Sequence, residues 1–230
     1  MLTLDAVSIS VGSFRLQASL SVDNGRICAV MGPSGAGKST LIGAIGGFIE
    51  SSGMISFDGA AFDGLQPGAR PASTVFQDNN LFPHMTAFQN VALGIRGSTR
   101  LSLSEKERVQ SALVHVGLAG LGERKPAALS GGQQSRIALA RVLIRDKPLV
   151  LLDEPFAALG PALKFEMLDL VATLASERAL TVLMVTHDPE DARRIADETI
   201  VVADGIAHAP QPTADLLDHP PLALRDYLGA

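Results

Sequence analysis

The apolar positions of this chain change period several times, and each change marks a predicted element. Met1 to Val11 and Phe14 to Val22 alternate apolar with polar residues, which predicts two half-buried strands. Arg26 to Met31 is a short apolar run instead, the pattern of a buried strand, and Asp23-Asn24-Gly25 before it suits a tight hairpin. Ser39 to Ile45 opens a helix. Gly53, Asp58-Gly59 and Pro67-Gly68 then punctuate a turn-rich stretch around Met54 to Phe57, and Ser73 to Phe76 predicts a core strand ending at Gln77. From Asp78 to about Lys125 the pattern becomes helical. Thr86 to Gln89 and Ser104 to Glu107 are capping-box signatures, and Val109, Leu113 and Val116 share one apolar face that ends at Gly117.

Beyond this insert a β-then-α order returns. Ile137 to Ile144 predicts a helix, and Pro148 to Leu152 a buried strand closed by Asp153-Glu154. Pro161 to Ser176 predicts a helix with Leu163, Met167, Leu170, Val171 and Leu174 on its buried face. Thr181 to Thr186 and Thr199 to Ala203 predict strands around a helix at Pro189 to Ala196, and a last short helix runs from Thr213 to Leu217. Strands separated by helices require a mostly parallel sheet. The expected fold is therefore α/β: a core of residues 1–77 and 139–230 with a mostly parallel sheet, an N-terminal antiparallel β layer, and an inserted helical lobe at 78–138.

Composition narrows the class without changing that outline. The 230 residues carry a formal charge of −5 with no dense Lys/Arg tract, which argues against a nucleic-acid partner. No apolar run approaches the roughly 18 residues of a membrane span, so a membrane role has to come through another subunit. The start, Met1 to Asp5, lacks the pattern of a secretory signal and predicts a cytosolic chain. The single cysteine, Cys28, excludes an internal disulfide and falls in a strand, where a packed thiol is expected. The five histidines show no metal-ligand spacing.

Candidate chemistry centres on Gly32-Pro33-Ser34-Gly35-Ala36-Gly37-Lys38-Ser39, with Thr40 next, a match to the G-x-x-x-x-G-K-[ST] phosphate loop between a strand and a helix. The glycines let successive backbone N–H groups converge on one phosphate, Lys38 adds charge toward the β- and γ-phosphates, and the Ser39 hydroxyl is placed for Mg²⁺. Asp153 at its strand end is the second candidate Mg²⁺ ligand, and Glu154 is the candidate base. Gln77, expected on a strand beside the phosphate-loop strand, is placed to reach the metal or the attacking water. His187, at the end of the apolar strand Val182 to Val185, is placed to hydrogen-bond the γ-phosphate. Leu129-Ser130-Gly131-Gly132-Gln133 forms a second anion-binding nest at a helix start, and its natural recipient is a nucleotide held by a second chain.

Together and in this order, the phosphate loop, Gln77, Ser130 to Gln133, Asp153-Glu154 and His187 resemble the ATP-binding subunit of ABC transporters over nearly the whole chain. That resemblance implies ATP and Mg²⁺ as ligands and a head-to-tail homodimer in which each ATP lies between one copy's phosphate loop and the other's Ser130 to Gln133. Phe76 to Thr86, Pro161 to Leu168 and Ile200 to Gly205 are most similar to the ATPases of bacterial thiamine importers. This implies two transmembrane permease subunits, a periplasmic solute-binding protein, a place on the cytoplasmic face of the inner membrane, and Asn79 to Asn90 as the segment that meets the permease. Importers of iron, sulfate, molybdate or polyamines, a non-transport ABC ATPase, and a small-molecule kinase remain the alternatives. Two positions depart from the family pattern: Ala157-Ala158-Leu159-Gly160 stands where Ser-Ala-Leu-Asp is usual, and Val11, with Phe14 nearby, where an aromatic usually meets adenine.

Overall fold

The computed structural model describes residues 1–95, 101–221 and 224–225. Its strands are β1 (Leu2–Val11), β2 (Phe14–Val22), β3 (Ile27–Met31), β4 (Ser51–Phe57), β5 (Ala60–Ala61), β6 (Ala72–Val75), β7 (Leu149–Asp153), β8 (Thr181–Val185), β9 (Glu198–Ala203), β10 (Ile206–Ala207) and β11 (Gln211–Pro212). The helices are α1 (Lys38–Gly46), α2 (Ala87–Ala92), α3 (Leu103–His115), α4 (Gly131–Leu143), α5 (Pro161–Arg178), α6 (Pro189–Ile195) and α7 (Thr213–Asp218). Pairing runs β5-β4-β1-β2-β10-β9-β3-β8-β7-β6, with β11 also on β9. The block β9-β3-β8-β7-β6 is parallel, and β2-β1-β4-β5 is antiparallel.

The burial of each strand follows from its neighbours. All residues of β3 and β8 are buried because helices cover both faces of the parallel block, whereas β2 alternates and covers the core with one face. Successive side chains point to opposite faces, so each central strand feeds two cores. Val150, Leu152, Val182 and Met184 join α2 to α5 on one side, while Leu149, Leu151, Leu183 and Val185 meet α1 and the antiparallel strands on the other. The helical segment therefore shares a continuous apolar cluster with the sheet: Val91, Leu113 and Ile137 belong to the same cluster as Val75 and Val150.

Four local expectations need correction. Asn24-Gly25 does not close a hairpin, because β10 and β9 intervene between β2 and β3; Asn24 instead donates through Nδ2 to Asp58 Oδ1 at 2.7 Å. β6 does not lie beside β3 but is separated from it by two strands, β8 and β7, so Gln77 reaches the sheet's C-terminal edge from the outermost parallel strand. The second capping box is formed by Ser102 and Glu105, not Ser104 and Glu107, which starts α3 earlier. Leu163 is 44% exposed rather than on the buried face of α5, because that helix turns Met167, Leu168, Val171, Leu174 and Ala175 inward.

Candidate functional site

The C-terminal ends of β3, β7 and β8 bring the predicted site residues to one edge of the sheet, as expected for an open parallel sheet. The turn after β3 is shaped by sterics. Gly37 has φ +103 and a Cβ there would stand 2.5 Å from the Phe14 ring; a Cβ on Gly32 would stand 2.0 Å from the Val202 carbonyl oxygen. Only glycine lets the loop pass this close, and Ser34 and Gly35 at its crest are exposed. As in any α-helix, the first-turn N–H groups of α1, including those of Lys38, Ser39 and Thr40, have no intrahelical partner, and here no side-chain cap stands in for one.

Lys38 is 92% buried, with Nζ donating to the Gly32 and Pro33 carbonyls at 2.8 Å each. Desolvation pulls its pKa below the usual lysine value against the opposing charges of Glu154 and Asp153. Ser39 Oγ donates to Asp153 Oδ1 at 2.9 Å, and burial, reinforced by Glu154, raises the Asp153 pKa despite that hydrogen bond and Lys38. Two oxygen donors already in register, on a carboxylate that gains from a nearby cation, fit a hard ion such as Mg²⁺. Gln77, the third predicted ligand, is exposed in the turn after β6.

Glu154 follows Asp153 with φ +46, a left-handed conformation rare outside glycine. Its N–H donates to Val185 O at 3.3 Å, which ties the turn to β8. This strained backbone directs the carboxylate back over the sheet edge, where Oε2 lies 3.5 Å from His187 Nδ1. His187 follows Thr186, whose N–H donates to Val30 O at 3.3 Å. Lys38, Ser39, Asp153, Glu154 and His187 thus form one constellation.

Ser130 to Gln133 lies apart from it, at the start of α4. A methyl group on Gly131 would meet Leu159 at 3.5 Å, and one on Gly132 would meet Leu163 at 3.6 Å. Ser130 and Gln133 close a reciprocal capping box, Gln133 N to Ser130 Oγ at 3.3 Å and Ser130 N to Gln133 Oε1 at 3.0 Å. Val11 is 49% exposed, while the partly buried Phe14 ring packs on Gly37. Cys28 is fully buried, and desolvation drives its thiol pKa far upward, which removes it from any reactive role.

Two groups escaped the sequence reasoning. Arg141 of α4 donates to the carbonyls of Asn79 and Asn80 at 2.7 Å each, clamping the turn after Gln77, where both asparagines are left-handed. The Asn-Asn pair was its one local signal. Lys164 of α5 forms ion pairs with Asp188, beside His187, and with Asp191; nothing local announces this.

The family model described as "ABC transporter" matches residues 16–157, more than half of the chain. The thiamine import ATP-binding protein ThiQ of Cereibacter sphaeroides is 58% identical over 100% of both chains, and that of a Ruegeria species 55% identical over 100% of both. A dimeric post-hydrolysis structure of the ATP-binding cassette MJ0796 bound to ADP and Pi superposes with a TM-score of 0.80 at 30% identity, covering 93% of this chain and 99% of that one.

Proposed function

The chain belongs to the ABC transporter family and is an ATP-binding, ATP-hydrolysing subunit; we propose that it powers import of thiamine or a thiamine phosphate. The solute is the one that names the relatives above, 58% and 55% identical over full length. No helix among the described residues is long and apolar enough to cross a membrane, in keeping with a peripheral subunit seated on a permease at the cytoplasmic face of the inner membrane. A solute-binding protein on the far side completes that arrangement. The core at 1–77 and 139–230 and the helical lobe at 78–138 act within one ATPase domain.

In this reading residues Gly32 to Thr40 hold the triphosphate, and Lys38 neutralises its β- and γ-oxygens. Ser39 and Asp153, with Gln77 from the neighbouring turn, hold Mg²⁺, which supplies charge neutralisation across those oxygens when bound. Glu154 orients a water for in-line attack and accepts its proton, and His187 donates to the γ-phosphate. Ser130 to Gln133 completes the site on a second copy, the dimeric arrangement of the solved cassette it resembles. The observation that carries this reading is the meeting of a glycine cradle, the Ser39–Asp153 hydrogen bond and the Glu154–His187 contact at one sheet edge.

Glu154→Gln tests it. Turnover of ATP should fall by about 100-fold or more while ATP binding persists, and the ATP-loaded variant should elute as a dimer. Wild-type hydrolysis by the variant removes Glu154 from its role, and a strictly monomeric ATP-loaded variant removes the shared site.

A further inference from the structure

Lys164 occupies a position that helix electrostatics disfavours. It lies in the first turn of α5, at the positive end of the helix dipole, and its side chain is only 15% exposed. Two carboxylates offset that cost. Nζ pairs with Asp188 Oδ2 and lies 2.8 Å from Asp191 Oδ1, the latter off hydrogen-bond alignment. Burial alone would lower the lysine pKa, but pairing with the Asp188 and Asp191 carboxylates holds it above its usual value.

The partners of this ammonium enclose His187 from both sides. Thr186, just before it, donates from Oγ1 to Asp191 Oδ2 at 2.8 Å and accepts from the Asp188 N–H at 3.1 Å. Asp188, just after it, also caps α6 by accepting from Glu190 N at 2.9 Å. Lys164 therefore ties the start of α5, and with it the Ala157 to Gly160 turn, to the backbone on either side of His187. Glu154, Leu159, Lys164, His187 and Asp191 line one small cavity, so the tie sits directly behind the Glu154–His187 contact.

We propose that Lys164 is a positioning residue: through Asp188 and Asp191 it holds the His187 imidazole in register with Glu154 and couples that register to the Ala157 to Gly160 turn. Without the ammonium, Asp188 and Asp191 face each other uncompensated, and the Thr186 to Asp188 segment moves to separate them. The inference rests on the catalytic role given to His187 above.

Steady-state ATP hydrolysis by the full chain tests it. Lys164→Met should lower kcat by about 10- to 100-fold, with KM for ATP changed less than about twofold because the phosphate loop is untouched. Lys164→Arg, which keeps the charge, should restore most of the loss. In a His187→Ala background Lys164→Met should add nothing further, since the group it positions is gone. Unchanged kcat in Lys164→Met, a loss shared with KM, failure of the arginine rescue, or losses that multiply in the double variant each overturn the proposal while leaving His187 in place. Wild-type turnover by His187→Ala overturns both readings. Should Lys164→Met fail to fold, Asp191→Asn carries the same test with a smaller expected loss of kcat, and wild-type kcat there overturns the proposal.

Discussion

Helices α1 and α4 both begin with glycine-rich turns beside a serine, yet their backbone donors are in opposite states. At α1 the residue before the helix is Gly37 in a left-handed conformation, with no side-chain cap, and Lys38 is buried against its own loop. At α4 Ser130 caps the helix and Gln133 reaches back, so the first-turn donors are partly satisfied within the chain. In the proposed function the first is the cradle for the chain's own triphosphate and the second the edge offered to a nucleotide on another copy, and they differ in how far the chain caps each helix by itself. The capping box answers the N–H groups of Ser130 and Gln133, so a ligand at the α4 start meets fewer unmet donors than one at the uncapped α1 start.

The largest effect should come from closing the open end. Gly37→Ala sets a Cβ against the Phe14 ring at a left-handed backbone position, which should cost about 2–4 kcal/mol of loop stability and abolish tight nucleotide binding, measured by displacement of a fluorescent ATP analogue. Adding Phe14→Ala sharpens the point. It relieves the clash but not the backbone strain, so affinity should return only in part; full recovery would show that the ring alone was the constraint.

At the satisfied end the expectation is smaller and different in kind. Ser130→Ala removes half of the capping box and should cost about 1 kcal/mol in denaturant unfolding. Hydrolysis should also fall while ATP affinity of the isolated chain stays unchanged. Equal loss of monomer affinity would erase the distinction between the two helix starts. The smallest effect is expected at a third helix start, α5, where Gly160 provides no side-chain cap although its φ −67 and ψ 157 suit one. Gly160→Asp should stabilise the fold by only a few tenths of a kcal/mol, read as a slight rise in the denaturation midpoint.

These contrasts show which features were legible beforehand. The glycine spacing of Gly32 to Ser39, the Thr86 cap, the apolar face of Val109, Leu113 and Val116, and the Asp153-Glu154 strand end all depend on residues within one or two turns of one another. Hydrogen bonds and φ preferences of that range are properties of the local chain. The Ser102 box was displaced by two residues because both serines precede a glutamate at the right spacing, and nothing local chooses between them. Asn24-Gly25 has the chemistry of a hairpin, but β9 takes the place beside β3 that β2 would have filled, with β10 between β9 and β2.

By itself, the order of residues determined the class of fold, the glycine turn after β3, the carboxylates at the end of β7 and the place of His187 after β8, because each is written in short-range spacing. Only the tertiary structure decided which strands are neighbours, that Gln77 approaches from the outermost parallel strand, that Glu154 bends into a left-handed conformation against β8, and that Arg141 and Lys164 hold the turns beside Gln77 and His187. Strand order comes from long-range pairing and from helices that must cover both faces of one sheet. The cost of a buried charge is likewise settled by whatever the distant chain brings alongside it, and no local pattern encodes either outcome.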